Sequence, residues 1–196
     1  MIYGGNLDIE SVLKDYLKDC KKLAIMGIGN TMKGDDGFGI IFIKNLINHY
    51  MTKSYSNIDI NNNYGLNPDK EVNKIGDKLI LLNCGVVPEN FTSVLKKEKP
   101  SHILIVDAAL MGKPIGTIST IDVEDISRIG FSTHSLPMSI IVKYIKHYIN
   151  TEILIIGIEP KNIDFGMPLS REIYKKNLEF TKIIAKLLDS FLSRDN

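Results

Sequence analysis

The sequence has 196 residues, of which 44% are hydrophobic and 24% are charged, and its formal net charge is +1. These values predict one soluble domain over residues 1–196, and the near-neutral charge argues against a nucleic-acid or anionic-membrane partner. Two distant cysteines, Cys20 and Cys84, give no disulfide framework, and no run approaches the roughly 18 apolar residues of a membrane span, so we expect a cytoplasmic protein.

Strands are predicted to alternate with helices along the chain. In order, the patterns predict a helix at 7–20, a buried strand at 22–28, a helix at 36–50, buried strands at 79–85 and 101–109, an edge strand at 115–122, a helix at 135–149, a strand at 152–160 and a long helix at 168–193. Residues 1–21 form an N-terminal helical extension. The polar, Asn-rich segment 51–77 is predicted to be a loop insertion with at most a short strand near 58–60. This order predicts an α/β three-layer sandwich, a twisted and mostly parallel sheet of about five strands with helices on both faces.

The loop GIGNTMKGDDGFGI, residues 27–40, follows the first predicted strand and combines several glycines with two adjacent carboxylates. Its glycines match neither the G-x-G-x-x-G spacing nor the G-K-[ST] ending of nucleotide loops, and Asp35 and Asp36 would repel a phosphate. We therefore interpret it as a sharp turn from strand to helix. One aspartate is expected to cap that helix, and the other is either exposed or has a different role.

Two further side chains lie where the carboxyl ends of parallel strands are expected to meet. Asp107 ends the apolar run ILIVDAA, where a charge needs a partner, a cleft or a metal. His134 lies at the predicted start of a helix, which favours the neutral, metal-binding imidazole. Alone, Asp107 could brace a loop and His134 could be structural. Together with an aspartate of the 27–40 loop, they form a candidate site for a divalent transition metal.

The sequence resembles a known family in five motifs that occur in the same order. They are GIGNTMKGDDGFG, CGVVPEN, ILIVDAALMGKPIGTISTID, STHSLPM and IIGIEPKNIDFG, which lie between residues 27 and 166. They are similar to motifs of the nickel–iron hydrogenase maturation endopeptidases, and most similar to the hydrogenase 3 type. The resemblance implies a twisted, mostly parallel sheet flanked by helices.

The resemblance also implies an activity and the residues for it. The family removes a C-terminal extension from the hydrogenase large-subunit precursor after nickel insertion, using the nickel of the substrate as a recognition element. Matched motif by motif, the nickel-contacting and catalytic positions are Asp36, Asp107 and His134. Asp35 matches an acidic position that is not a ligand, which agrees with a helix-cap role. The implied partner is the nickel-loaded precursor, and the implied state is a monomer.

Some features depart from the family pattern or leave alternatives open. Asn83 stands where many relatives have an aspartate, and Cys84 is either a soft metal ligand or a small buried residue. The same three ligands would also serve a non-catalytic nickel-binding chaperone for hydrogenase assembly. A peptidyl-tRNA hydrolase, whose strand-end segment resembles GIGN, would need a nearby histidine and a basic surface, and the sequence has neither.

Overall fold

Helices and strands follow one another along the chain in a computed structural model that describes residues 8–52, 66–126, 129–131 and 137–194. The helices are α1 (Ile9–Tyr16), α2 (Phe38–Thr52), α3 (Thr92–Glu98), α4 (Met138–Tyr148) and α5 (Arg171–Leu192). The strands are β1 (Leu23–Ile28), β2 (Val72–Ile75), β3 (Leu79–Gly85), β4 (His102–Leu110), β5 (Ile118–Ile121), β6 (Gly130–Phe131) and β7 (Glu152–Ile158). Short 3₁₀ turns at Gly34–Gly37 and Pro88–Phe91 precede α2 and α3.

The strands form one mixed sheet in the order β2-β3-β1-β4-β7-β5, and β6 pairs with the end of β4. The four central strands, β3, β1, β4 and β7, are parallel, whereas β2, β5 and β6 are antiparallel to their neighbours. The predicted α/β fold with a mostly parallel core is confirmed. The sheet has seven strands where about five were expected, because the short strands β2 and β6 extend it.

Helices cover both faces of the sheet, and the side chains of each central strand alternate between the two cores. On one face, Leu23 and Ile25 of β1 pack in a core that includes residues of α1, α2 and α5. On the other, Ala24 and Met26 pack in a core with residues of α3 and α4. Burial on both faces explains why these strands appear in the sequence as uninterrupted apolar runs.

Two glycines allow α2 to start very close to the sheet. A Cβ built on Gly39 would lie 2.3 Å from the carbonyl oxygen of Val106 and 2.4 Å from that of Ile28. A Cβ built on Gly27 would lie 2.3 Å from the carbonyl oxygen of Gly39. Only hydrogen fits at these positions, so the glycines of this loop set the distance between α2 and the strands β1 and β4.

Several predicted boundaries need correction. Strand β2 falls inside the predicted loop insertion 51–77, of which residues 53–65, including the strand expected near 58–60, lie outside the described residues. Its sequence, VNKI, contains two polar residues and spans four positions at the sheet edge, so it gives almost no strand signal. The seven-residue helix α3 was not predicted, α1 ends at Tyr16, and the last helix begins at Arg171.

Within the ranges that the structure describes, no helix has the length and apolar character needed to cross a membrane. Cys20 and Cys84 are both buried free thiols, in agreement with the prediction that they form no disulfide.

Candidate functional site

The carboxyl ends of β1 and β4 lie side by side, and the predicted site residues of the described chain are found there. The 3₁₀ turn Gly34–Gly37 follows β1 and places Asp35 and Asp36 over this edge, whereas Asp107 lies within β4. All three aspartates are fully buried. Three carboxylates in one buried region are costly unless their environment stabilises the charges, so the partners of each one define its role.

Asp36 is oriented by the loop that precedes it. The backbone N–H of Asn30 donates a hydrogen bond of 2.8 Å to Oδ2 of Asp36, and the backbone N–H of Asp36 donates to the carbonyl oxygen of Lys33. The loop therefore curls around the Asp36 side chain and fixes one of its carboxylate oxygens against the strand end. A charge-assisted hydrogen bond from a backbone amide is among the stronger ones that a carboxylate can accept.

Gly29 lies between Asp36 and Asp107. Its φ angle is +134°, and a Cβ built on it would lie 1.8 Å from the backbone oxygen of Asp36 and 3.8 Å from Oδ1 of Asp107. The same Oδ1 accepts a 2.8 Å hydrogen bond from the backbone N–H of Ala108. The absence of a side chain at Gly29 thus leaves room for the backbone of Asp36 and keeps Oδ1 of Asp107 close to the end of β1.

Asp35 has a different role from the one predicted. In the described chain, the hydrogen bonds that its carboxylate accepts do not come from the first turn of α2. Instead, Oδ2 accepts hydrogen bonds from the backbone N–H groups of Lys161 and Asn162, at 2.8 and 2.9 Å, and Oδ1 accepts one from that of Ser170, at 2.7 Å. The hydroxyl of Ser170 lies 2.5 Å from both carboxylate oxygens. Asp35 therefore anchors the segment 161–170 that precedes α5, and the prediction that it caps α2 is wrong.

His134, the third predicted site residue, lies outside the described residues. The nearest described residue before it in the sequence, Phe131, pairs with Ala109 in the ladder between β6 and β4, and Ala109 is two positions after Asp107. Among the described residues, no group of three or more His, Cys, Asp or Glu side chains could hold a metal ion. A metal site that includes His134 stays a prediction.

The carboxyl end of β3 carries Asn83 and Cys84, the two residues that the sequence left open. Burial raises the pKa of the Cys84 thiol well above its usual value, and the nearby Glu71 and Asp107 act in the same direction. The side chain packs in the apolar core on the α3 and α4 face, which supports its interpretation as a small buried residue. Asn83 lines a cleft of about 340 Å³ together with Gly29 and Asn30, and the backbone N–H of Asn30 bonds to Asp36.

Glu159 is a buried carboxylate that the sequence analysis did not single out. It follows β7, and its Oε2 accepts hydrogen bonds from the backbone N–H groups of Met111 and Lys113, at 2.8 and 3.1 Å. It thereby shapes the loop that leaves β4 just after Asp107. The signal in the sequence was a carboxylate at the end of an apolar run, IIGIE, which is the same signal that identified Asp107.

Together, Asp36 and Asp107 form a compact acidic centre whose geometry is set by backbone amides. Two buried carboxylates favour a cation, and oxygen ligands combined with an imidazole suit a divalent metal of intermediate softness. The arrangement places two buried aspartates and a cleft at the same edge of the sheet.

Comparison with known proteins gives a consistent result. The family model described as hydrogenase maturation protease matches residues 67–187. A Methanocaldococcus jannaschii protein named as a hydrogenase maturation protease is 45% identical over 181 residues, which is 92% of this chain and 95% of that protein. The Escherichia coli hydrogenase 3 maturation protease is 26% identical over 150 residues, or 76% of this chain and 80% of that one.

The fold agrees as well. The crystal structure of the NiFe hydrogenase maturation protease HycI from Thermococcus kodakarensis superposes with a TM-score of 0.70 at 28% identity. The similarity covers 91% of this chain and 99% of that one.

Proposed function

The chain belongs to the hydrogenase maturation protease family, and from this premise we propose that it removes the C-terminal extension of a NiFe hydrogenase large-subunit precursor after nickel insertion. Family membership makes it a peptide hydrolase of hydrogenase maturation. We infer in addition that the cut removes a C-terminal extension, that it depends on nickel and that Asp36, Asp107 and His134 take part.

The observation that supports the proposal most directly is that two fully buried aspartates, Asp36 and Asp107, lie near Gly29, where β1 ends beside β4. Asp36 and Asp107 come from separate segments of the chain, and each has one oxygen oriented by a backbone amide. Such a fixed pair can bind a cation without rearranging when the substrate arrives. The neighbouring buried carboxylates of Asp35 and Glu159 each anchor a loop.

In the proposed mechanism, nickel is a part of the substrate. Asp36, Asp107 and His134 bind the nickel that the precursor presents, and the precursor supplies the remaining ligands. Three protein ligands alone bind a metal weakly, so a precursor without nickel would dock poorly. Binding through the metal then places the scissile peptide beside the carboxylates, and this positioning lowers the barrier to hydrolysis. The metal or a carboxylate polarises the attacking water or the peptide carbonyl.

The test is cleavage of nickel-loaded precursor by the purified protein, followed by mass spectrometry of the products. We expect loss of a C-terminal peptide with the wild type, and a loss of at least about 100-fold in rate for Asp36→Asn, Asp107→Asn and His134→Ala. Asp77→Asn serves as the matched control, because Asp77 is exposed in the turn before β3, at the opposite edge of the sheet. Precursor that lacks nickel should remain uncut.

Two other results would contradict parts of the proposal. Cleavage at wild-type rates by Asp36→Asn or His134→Ala would exclude these residues from the site. Stable co-elution with the nickel-loaded precursor and no truncation would instead identify a non-catalytic assembly chaperone. We further propose that the protein acts in the cytoplasm and that it is a monomer. Sedimentation velocity on the purified chain would test the monomeric state.

A further inference from the structure

Three large apolar side chains are exposed on two neighbouring loops beside the acidic centre. Met32, Phe165 and Met167 have 57%, 68% and 46% of their surface exposed, and we call them the apolar patch. Single exposed apolar residues are common, but a contiguous group on a rigid support is typical of an interaction surface. Met167 also lines a cavity of about 600 Å³ with Leu169 and Tyr174, which deepens the patch on one side.

The two loops of the apolar patch are joined by backbone hydrogen bonds. The N–H of Gly166, which lies between Phe165 and Met167, donates to the carbonyl oxygen of Met32 at 2.7 Å. The N–H of Gly34 donates to the carbonyl oxygen of Met167 at 2.8 Å. The patch is therefore one surface, although Met32 is more than 130 residues from Phe165 and Met167 in the sequence.

Asp35 fixes this surface to the site. Its buried carboxylate accepts hydrogen bonds from backbone groups at both ends of the 161–170 loop, as described above, and its own N–H donates to the carbonyl oxygen of Asn162 at 2.8 Å. The loop is thus attached to the residue that precedes Asp36. A surface that is fixed before binding loses little conformational entropy when a partner covers it.

We propose that the apolar patch docks apolar side chains on the surface of the large-subunit precursor, beside the bond that is cut. Met32 belongs to the loop between Asn30 and Asp36 that curls around the Asp36 carboxylate. A folded protein that brings a peptide bond to Asp36 must therefore cover Met32 and the residues bonded to it. This inference rests on the proposed function, because it assigns part of the binding energy for the same substrate.

Two other places where apolar side chains are exposed in the described chain have no hydrogen-bonded connection to the site. Tyr144 and Tyr148 of α4 are exposed, but the Lys96 ammonium lies 4.7 and 3.7 Å from their ring centroids and covers them. Met51, with 50% of its surface exposed, lies near the end of α2, at the edge of the sheet opposite the acidic centre. Neither has a hydrogen-bonded connection to Asp36 among the contacts of the described residues.

The experiment compares two double variants that are matched in chemistry. Met32→Ser/Phe165→Ser alters the patch, and Met51→Ser/Tyr148→Ser removes one methionine and one exposed aromatic ring elsewhere. With nickel-loaded precursor as the substrate, we expect the patch variant to raise KM about 10-fold or more with kcat within about 2-fold of wild type, because docking contacts are made equally in the ground and transition states. The control variant should leave both constants unchanged.

Binding is measured separately from cleavage, so that the two proposals can fail independently. Nickel-loaded precursor is titrated onto the immobilised wild type and both double variants, and its association is recorded within a time too short for one turnover. Weaker binding of the patch variant alone supports the docking surface, even if the wild type cuts nothing and the proposed function fails. An unchanged KM and unchanged binding, or equal losses in both variants, would overturn it.

Sedimentation velocity distinguishes the other possible occupant, a second copy of this chain. If the wild type self-associates and the patch variant does not, while KM is unchanged, the patch is an interface between copies and the docking proposal is wrong. Circular dichroism melts confirm that both variants are folded.

Discussion

The two edges of the sheet stabilise buried charges in different ways. At the amino edge, the Glu98 carboxylate pairs with the ammonium groups of Lys22, at 2.7 Å, and Lys74. At the carboxyl edge, Asp35, Asp36 and Asp107 accept hydrogen bonds from backbone amides. Ion pairs respond to pH and salt, whereas hydrogen bonds donated by backbone amides depend on the conformation of the loops. The buried carboxylates of the carboxyl edge therefore depend on the loops that surround them, whereas Glu98 depends on two lysines.

The first prediction breaks the carboxyl edge at Asp35. Asp35→Ala leaves the N–H groups of Lys161, Asn162 and Ser170 without their acceptor, so we expect the free energy of unfolding to fall by about 3 to 5 kcal/mol. Urea denaturation monitored by circular dichroism measures it. Asp164→Ala, an exposed aspartate in the same loop, should cost less than about 0.5 kcal/mol. If Asp35→Ala lowers the free energy of unfolding by less than about 1 kcal/mol, the hydrogen bonds from backbone amides to Asp35 do not stabilise this edge.

A second prediction concerns the distance between α2 and the strands. In Gly39→Ala, the new methyl group would overlap the carbonyl oxygens of Val106 and Ile28, so α2 must shift. We expect a loss of about 2 to 3 kcal/mol in unfolding free energy and a lower kcat, because Asp36 moves relative to Asp107. Asn48→Ala, on the exposed side of the same helix, should be nearly neutral. Equal stability and kcat for both variants would contradict the close packing.

The parts of this architecture that the sequence predicts are those with a local signal. The runs that became β1, β3, β4 and β7 are apolar because both faces of each strand are buried. Asp107 was recognisable because a carboxylate at the end of such a run is unusual. The edge strand β2 is short and polar, and β6 is only two residues long, so neither has a periodicity to detect.

The role of Asp35 could not be predicted for a different reason. An aspartate before a helix has a common local explanation, the N-cap, and nothing in the sequence indicates a partner more than 120 residues away. The same limit applies to the apolar patch, whose two loops meet only in the folded chain. Long-range hydrogen bonds to a buried charge are set by the tertiary structure, and a single sequence contains no periodic signal for them.

A third prediction tests the amino edge through pH. The hydrogen bonds from Lys22 and then Lys74 lower the pKa of Glu98, whose side chain is only 11% exposed. The stabilisation is therefore present above the unfolded-state pKa, about 4.3, and is lost as pH falls through the lower folded-state pKa. Glu98→Gln should lower the free energy of unfolding by about 1 kcal/mol at pH 7. It should have no effect at a pH below the folded-state pKa of Glu98. Thermal melts at both pH values measure this, and a cost that persists in acid would mean that packing, not charge, matters here.

The smallest effect is expected at His102, and it tests whether the amino edge alone controls the response to mild acid. Burial lowers the pKa of His102, although Glu152 and Asp19 act in the opposite direction. Its ring packs edge-on against Tyr16, with centroids 4.9 Å apart.

The folded state therefore binds a proton less readily than the unfolded state. Stability is complete above the unfolded-state pKa, about 6.5, and declines as pH falls below it. His102→Phe keeps an aromatic ring but cannot titrate, so its unfolding free energy should change less between pH 7.5 and about 5.5 than that of the wild type, by a few tenths of a kcal/mol. Urea titrations at the two pH values measure the difference. An equal slope in both proteins would place the titrating group elsewhere.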